Sequence, residues 1–338
     1  MPAPAPGVRV IRPAFAPLVQ GNTGPAVADV QERLDALGFA IAPDGPGVFG
    51  PGTRAAVEAF QHRRGLRVDG VCGRQTWSAL VEAGRRLGDR FLYRRSPMLR
   101  GDDVAELQQR LSALGFDAGR VDGIFGDRTS RALGEFQRNV GLPVDGIAGA
   151  STVRELLRLG SRHVDPELVT SVRDREELRH GRRTLAGLRV AVGEEGGVDV
   201  ATGALRRALA RRSAVVTTHH HPDGSMLAAE ANAVGADVFI GIRLDGTRSA
   251  CSASYYAGFH YQSPGGRMLA ELVATAVAGA LGIVDEGAHG MSLPVLRETR
   301  MPAVICDVGP PAVLVPGVVT FADAVVDALA RWVSTPWD

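Results

Sequence analysis

The chain has 338 residues, 45% of them hydrophobic and 22% charged, and its 38 basic side chains almost cancel its 37 acidic ones, leaving a formal net charge of +1. That length exceeds what one hydrophobic core usually organises and implies two or three domains. So even a charge balance argues against nucleic acid or an anionic membrane surface as the main partner.

Residues 1–20 are read as a tail, rich in Pro, without the apolar run of a secretory signal. From residue 21 a unit begins that the chain then repeats. Val30-Gln31-x-x-Leu34-x-x-Leu37-Gly38-Phe39 returns as Leu107-Gln108-x-x-Leu111-x-x-Leu114-Gly115-Phe116. Phe60-Gln61 returns as Phe136-Gln137, and Val68-Asp69-Gly70-x-x-Gly73-x-x-Thr76 as Val144-Asp145-Gly146-x-x-Gly149-x-x-Thr152. The spacing between copies shortens by one residue across the loop Pro43–Gly47. Within each copy, apolar residues at three-and-four spacing predict a first helix through Val27, Val30, Leu34 and Leu37. A second helix is predicted from about Thr53 to His62, and a third from near Thr76 through Trp77 and Leu80. Asp-Gly turns precede the later helices: Asp69-Gly70 in the first copy, Asp122-Gly123 and Asp145-Gly146 in the second. Asp supplies local side-chain bonds there and Gly the positive φ that a tight turn needs.

The predicted repeats occupy residues 21–83 and 98–160, joined by an Arg-rich connector at 84–97. A segment dense in both charges, 161–184, reads as an exposed linker. From residue 185 to 338, short apolar runs alternate with helical patterns. Strands are expected at Leu188–Val192, Ala214–Thr218, Val238–Ile242, Ser254–His260 and Ala303–Val308. Helices are expected at Leu205–Arg211, Leu227–Val234, Gly265–Leu281 and Phe321–Val333. This alternation predicts an α/β sheet covered on both faces. The expected fold class is therefore multidomain, with two all-α three-helix units followed by an α/β domain. Cys72, Cys251 and Cys306 form neither a disulfide framework nor a zinc-finger pattern. No run reaches the roughly 18 apolar residues of a membrane span. The expectation is a cytoplasmic protein.

Two resemblances follow from these residues. The repeats resemble the peptidoglycan-binding domain that accompanies many bacterial wall hydrolases, which implies peptidoglycan or a wall-precursor glycopeptide as partner. The motif does not say which groups touch that ligand, so the turns at Asp69, Gly70, Asp122, Gly123, Asp145 and Gly146 stand as candidates. The segment from Leu293 to Asp307, with its Met301-Pro302-Ala303-Val304 run, and Ala231-Asn232 through Asp237 are similar to the zinc-dependent N-acetylmuramoyl-L-alanine amidases.

That resemblance implies a zinc ion on two His and a Glu, with a further Glu as acid/base. Carried over residue by residue, the first His becomes Glu195, in the turn Glu194-Glu195-Gly196-Gly197. The ligand Glu has only Asp199 in its shortened loop. The second His becomes Arg243, and the acid/base Glu becomes Asp307. A guanidinium stays protonated and cannot ligate zinc, so these four positions are expected to be vestigial, with no catalytic residues, no metal and no cofactor. The same replacement predicts that Arg243 takes the cation's place and pairs with Glu195 or Asp307.

Other candidates carry less. His219-His220-His221 follows a predicted strand, where neighbouring side chains point to opposite faces and do not share one ion easily. His289 is placed in a loop. Gly193-x-x-Gly196-Gly197 lacks the Lys-Ser/Thr of a nucleotide loop. The reading from sequence is a non-catalytic wall or precursor binder that regulates wall synthesis, with room for a protein partner. The alternative is an active amidase.

Overall fold

The computed structural model describes residues 16–160, 176, 178–179, 181, 183–246, 248–258 and 261–336. Most of the predicted tail and of the charged linker therefore lies outside the described residues. The chain divides into two compact units: residues 1–62 with 68–84, and residues 63–67 with 85–338. The second holds both the second repeat and the α/β domain.

The first unit contains helices α1 (Pro25–Ala36), α2 (Pro51–Arg63) and α3 (Arg74–Glu82). Val27, Val30, Leu34, Val57 and Phe60 are fully buried. Phe39 meets Phe60 edge-on, with ring centroids 5.7 Å apart. The second repeat has the same plan in α4 (Asp102–Ala113), α5 (Asp127–Asn139) and α6 (Ala150–Gly160). Its Leu107, Leu111, Leu133 and Phe136 are likewise fully buried, and Phe116 meets Phe136 at the same 5.7 Å. Leu34 and Leu111, and Phe60 and Phe136, are thus equivalent core positions.

Each repeat is held by a device that apolar spacing does not reveal. Gln61, almost fully buried, donates through Nε2 to the Asp69 carboxylate, the Val71 carbonyl and the Thr76 hydroxyl, while its Oε1 accepts from the amides of Asp69 and Gly70. Gln108 repeats this with Asp122, Ile124, Thr129 and Gly123. Gln137 repeats it with Asp145, Ile147, Thr152 and Gly146. Gln31 follows the same logic in the longer loop, bonding Gly45, Val48, Thr53 and Gly47. There Asp44 caps the start of α2, accepting from the amides of Gly50, Gly52 and Thr53. A buried amide side chain must satisfy both its ends. Here it does so by tying a helix to the following turn.

The α/β domain is a six-stranded sheet in the order β2-β1-β3-β6-β4-β5. The strands are β1 (Arg189–Glu194), β2 (Val215–His220), β3 (Val238–Leu244), β4 (Ala250–Tyr256), β5 (Val284–Met291) and β6 (Ala303–Val308). Pairing is parallel except between β4 and β6. Helices α7 (Asp199–Arg211), α9 (Pro264–Leu281) and α12 (Val318–Ser334) cover one face, packing on Val190, Val192, Ile240, Ile242 and Cys306. Helices α8 (Gly224–Ala233) and α10 (Pro294–Glu298) cover the other, packing on Ala191, Phe239 and Ile305. The short α11 (Pro311–Leu314) follows β6.

Three expectations are corrected. The strand expected at Ser254–His260 runs instead from Ala250 to Tyr256 as β4, and residues 259–260 lie outside the described residues. His289 lies in β5, paired with Ser254 of β4, and not in a loop. The segment Val284–Met291 escapes sequence reading because it is an edge strand with little buried apolar surface. His219 and His220 belong to the end of β2 rather than to a turn after it.

Candidate functional site

The C-terminal ends of β1, β3 and β6 converge at one edge of the sheet. Period-two alternation decides which side each residue serves. Glu195, Arg243 and Asp307 share the parity of Ala191, Phe239 and Ile305, and so belong to the face covered by α8 and α10. Gly193 makes room there: a Cβ at this position would come within 2.5 Å of the Phe239 ring. Gly196 and Gly197 then turn the chain at φ +137° and +84°, values that L side chains rarely adopt, and deliver it to α7.

Arg243 and Asp307 are register partners on neighbouring parallel strands. Arg243 Nε donates to Asp307 Oδ1 and Nη2 to Oδ2, both at 2.8 Å. This is the planar two-bond fork that guanidinium and carboxylate form best. Both side chains are about three-quarters buried, with exposures of 26% and 23%. Burial alone would pull the Arg243 pKa down. The hydrogen bonds and charge of Asp307, with the charge of Glu195, hold it above the ordinary arginine range. Of the two carboxylates expected to meet Arg243, Asp307 therefore binds it directly, and Glu195, exposed at the rim, adds field.

Asp199 joins a different group. Its carboxylate, Glu194 and His220 offer ligand atoms that all lie within 4.8 Å of one another, on the α7 side of the sheet. Glu194 is 97% buried, at 3% exposure. Its Oε2 accepts from the Val198 amide at 2.9 Å, and its Oε1 lies 3.0 Å from His220 Nδ1. The group has the donor chemistry of a cation site, but both Glu194 oxygens are already engaged within the protein. Sequence reading missed this pair because only the β1–β2 register, Glu194 opposite His220, brings it together. His219 points the other way, with Nδ1 3.1 Å from Glu230 and Nε2 2.9 Å from the Thr217 hydroxyl.

The residues at the implied zinc position do not fit the ion. A catalytic zinc needs three neutral or anionic protein donors, and here a fixed cation stands among two carboxylates. Pro310 and α11 follow Asp307 where the resemblance implies a polar turn.

The three Asp-Gly turns differ in what surrounds them. Asp69 and Asp145 are exposed, and their carboxylates are occupied by Gln61 and Gln137 and by the amides of Val71 and Ile147. The turn at Asp122-Gly123 is packed against the α/β domain instead. The Asp122 carbonyl accepts from Arg297 Nε at 2.6 Å, and Val121 is buried with Leu293, Val295 and Met301. Arg120 donates to the carbonyls of Thr299 and Met301, and Arg100 pairs with Glu298.

Comparison with known proteins agrees with this architecture. Residues 23–80 and 100–156 match the family described as "Putative peptidoglycan binding domain". The chain is 38% identical over 329 residues to "N-acetylmuramoyl-L-alanine amidase CwlM" of Mycobacterium tuberculosis, spanning 86% of this chain and 80% of that protein. It is 34% identical over 163 residues to the amidase CwlL of Bacillus licheniformis, covering 42% of this chain and 45% of that one. Among solved structures, the amidase Ami1 of Mycobacterium smegmatis is similar at 16% identity and a TM-score of 0.38, over 44% of this chain and 98% of that chain. The chain belongs to the N-acetylmuramoyl-L-alanine amidase family that includes CwlM, and carries two peptidoglycan-binding-type repeats ahead of an amidase-like α/β domain.

Proposed function

We propose that this protein binds peptidoglycan or a glycopeptide precursor of it without hydrolysing it, and that its amidase-like domain serves as a surface for control of wall synthesis. The observation that carries this reading is the bidentate Arg243–Asp307 pair, which spends the acid/base position on a guanidinium standing at a ligand position. Binding is assigned to the repeats. Val68 and Val144, each 52% exposed, sit at equivalent positions beside the Asp69 and Asp145 turns and offer apolar contact for a sugar ring. The reading includes a cytoplasmic location, with which the three buried free thiols agree. No described helix is long and apolar enough to cross a membrane.

A second reading, hydrolysis of the lactyl–amide bond, is favoured by the names of the relatives and by the grouping of Glu194, Asp199 and His220. Co-sedimentation with purified insoluble peptidoglycan separates the two. The binding reading expects retention of the intact chain, retention unchanged in Arg243→Ala, and loss in a Val68→Asp, Val144→Asp variant. A chain that fails to sediment, or that solubilises the pellet, contradicts it.

A further inference from the structure

Where the second repeat meets the α/β domain, the two enclose a cleft of about 660 Å³. One wall is the 118–131 stretch with the start of α5, and the other is α8 with the turn after α10. Beside the apolar contact of Val121 with Leu293, Val295 and Met301, the walls are held by polar, directional contacts. Arg120 and Arg297 reach carbonyls across the boundary, and Arg100 pairs with Glu298. Asn232 fixes the far wall, donating to the Glu298 carbonyl and accepting from the Arg300 amide at 2.8 Å each. The cleft is thus preorganised by side chains from both parts.

Its charge is unbalanced. Three carboxylates line it, and all three are engaged: Asp122 by Gln108, Asp127 by Arg94, and Glu298 by Arg100 and Ser225. Three of its guanidiniums are not. Arg128, Arg131 and Arg300 are exposed, and among the described residues none has a carboxylate partner. Arg128 and Arg131 lie one turn apart on α5, a like-charge spacing that destabilises a helix. Several arginines of other helices are paired along their own helix, as in Arg33–Asp29, Arg54–Glu58, Arg110–Glu106 and Arg267–Glu271. A concave site with one sign of charge and low-dielectric walls concentrates counter-ions of the other sign. The planar guanidinium fork matches oxyanions, phosphate and carboxylate alike.

We propose that this cleft binds a small ligand carrying two or more adjacent oxyanion groups. The site is separate from the vestigial metal position and from the exposed repeat turns, so it does not depend on how those are used.

Calorimetric titration of the intact chain at low salt tests this, with inorganic diphosphate and citrate as probes. At least one is expected to bind at one site per chain. Affinity should fall about tenfold or more in Arg131→Ala and in Arg300→Ala, the loss of one charge-assisted contact. It should be unchanged in Arg206→Ala, which removes an exposed arginine of α7 outside the cleft. Binding of diphosphate alone assigns phosphate chemistry, and binding of citrate alone assigns carboxylates. Absence of binding by both at millimolar concentration overturns the proposal. So does an equal loss in Arg206→Ala, which would mark diffuse attraction. Arg131→Gln repeats the test with the helix-forming stem kept, should the alanine variant melt early.

Discussion

Arg243 and Asp307 face each other across two adjacent parallel strands and share two hydrogen bonds of 2.8 Å, so the guanidinium fills the position at which the family resemblance implies a metal-ligating imidazole. Removing either partner leaves the other charge largely buried and unpaired. Arg243→Ala and Asp307→Ala are each expected to lower unfolding stability by about 1–3 kcal/mol. The double variant Arg243→Ala, Asp307→Ala is expected to lose less than the sum of the single changes, because no lone charge remains. Denaturant unfolding of the four proteins checks this; strictly additive losses would show that the pair is not coupled.

The buried glutamines predict a second, separate effect. Gln108→Leu keeps the volume but strands the Gly123 and Asp122 amides inside the repeat, while the Thr129 hydroxyl keeps its bond to the Ala118 carbonyl. Each buried unsatisfied group costs about 1–3 kcal/mol, so a loss of about 2–4 kcal/mol is expected. Gln137→Leu should behave alike. Half-buried Gln109→Leu on the same helix as Gln108 should not, and thermal melts of the three variants separate a staple from a general polar preference.

Acid response follows from the turn carboxylates, with two signs. The Asp145 carboxyl is held below the ordinary range by the Ile147 amide and the Gln137 side chain, against a smaller opposing effect of burial. Burial pushes Asp44 up, but the Thr53, Gly52 and Gly50 contacts prevail and hold it low. A depressed folded pKa gives stability that is present above the unfolded value of about 3.9 and is lost as pH falls through the folded one. Asp122 is the reverse: burial raises it, only partly offset by Gln108, the Ile124 amide, Arg297 and Arg120. Its contribution is lost as pH rises from the unfolded value through the raised one. Asp145→Asn should therefore flatten the melting-temperature profile below about pH 4, and Asp122→Asn the slope above it. Profiles superimposable on the parent protein's would refute both assignments.

The sequence made the repeats legible because their cores obey helical spacing: Leu34, Leu111, Phe60 and Phe136 can be read as buried from period alone. Their glutamines could not, since a buried Gln looks like any surface polar residue until its turn is in place. The repetition of Gln at the same offset before the Asp69 and Asp145 turns was the available signal. Strand β5 was invisible because Val284–Met291 sits at the sheet edge and buries little. The Arg243–Asp307 pair was foreseeable from the family resemblance, since residues replacing convergent ligands still converge. The placement of Asp199 with Glu194 and His220 was not, because it depends on which strand lies beside β1.

We propose that this amidase-like domain has exchanged its metal for an internal ion pair. This exchange is tested most directly by measuring zinc stoichiometry and stem-peptide release together, on the intact chain incubated with zinc and purified muropeptides. Zinc is expected well below one ion per chain after dialysis, with no release above the buffer control. One zinc per chain, with release abolished by Asp307→Ala, would contradict it.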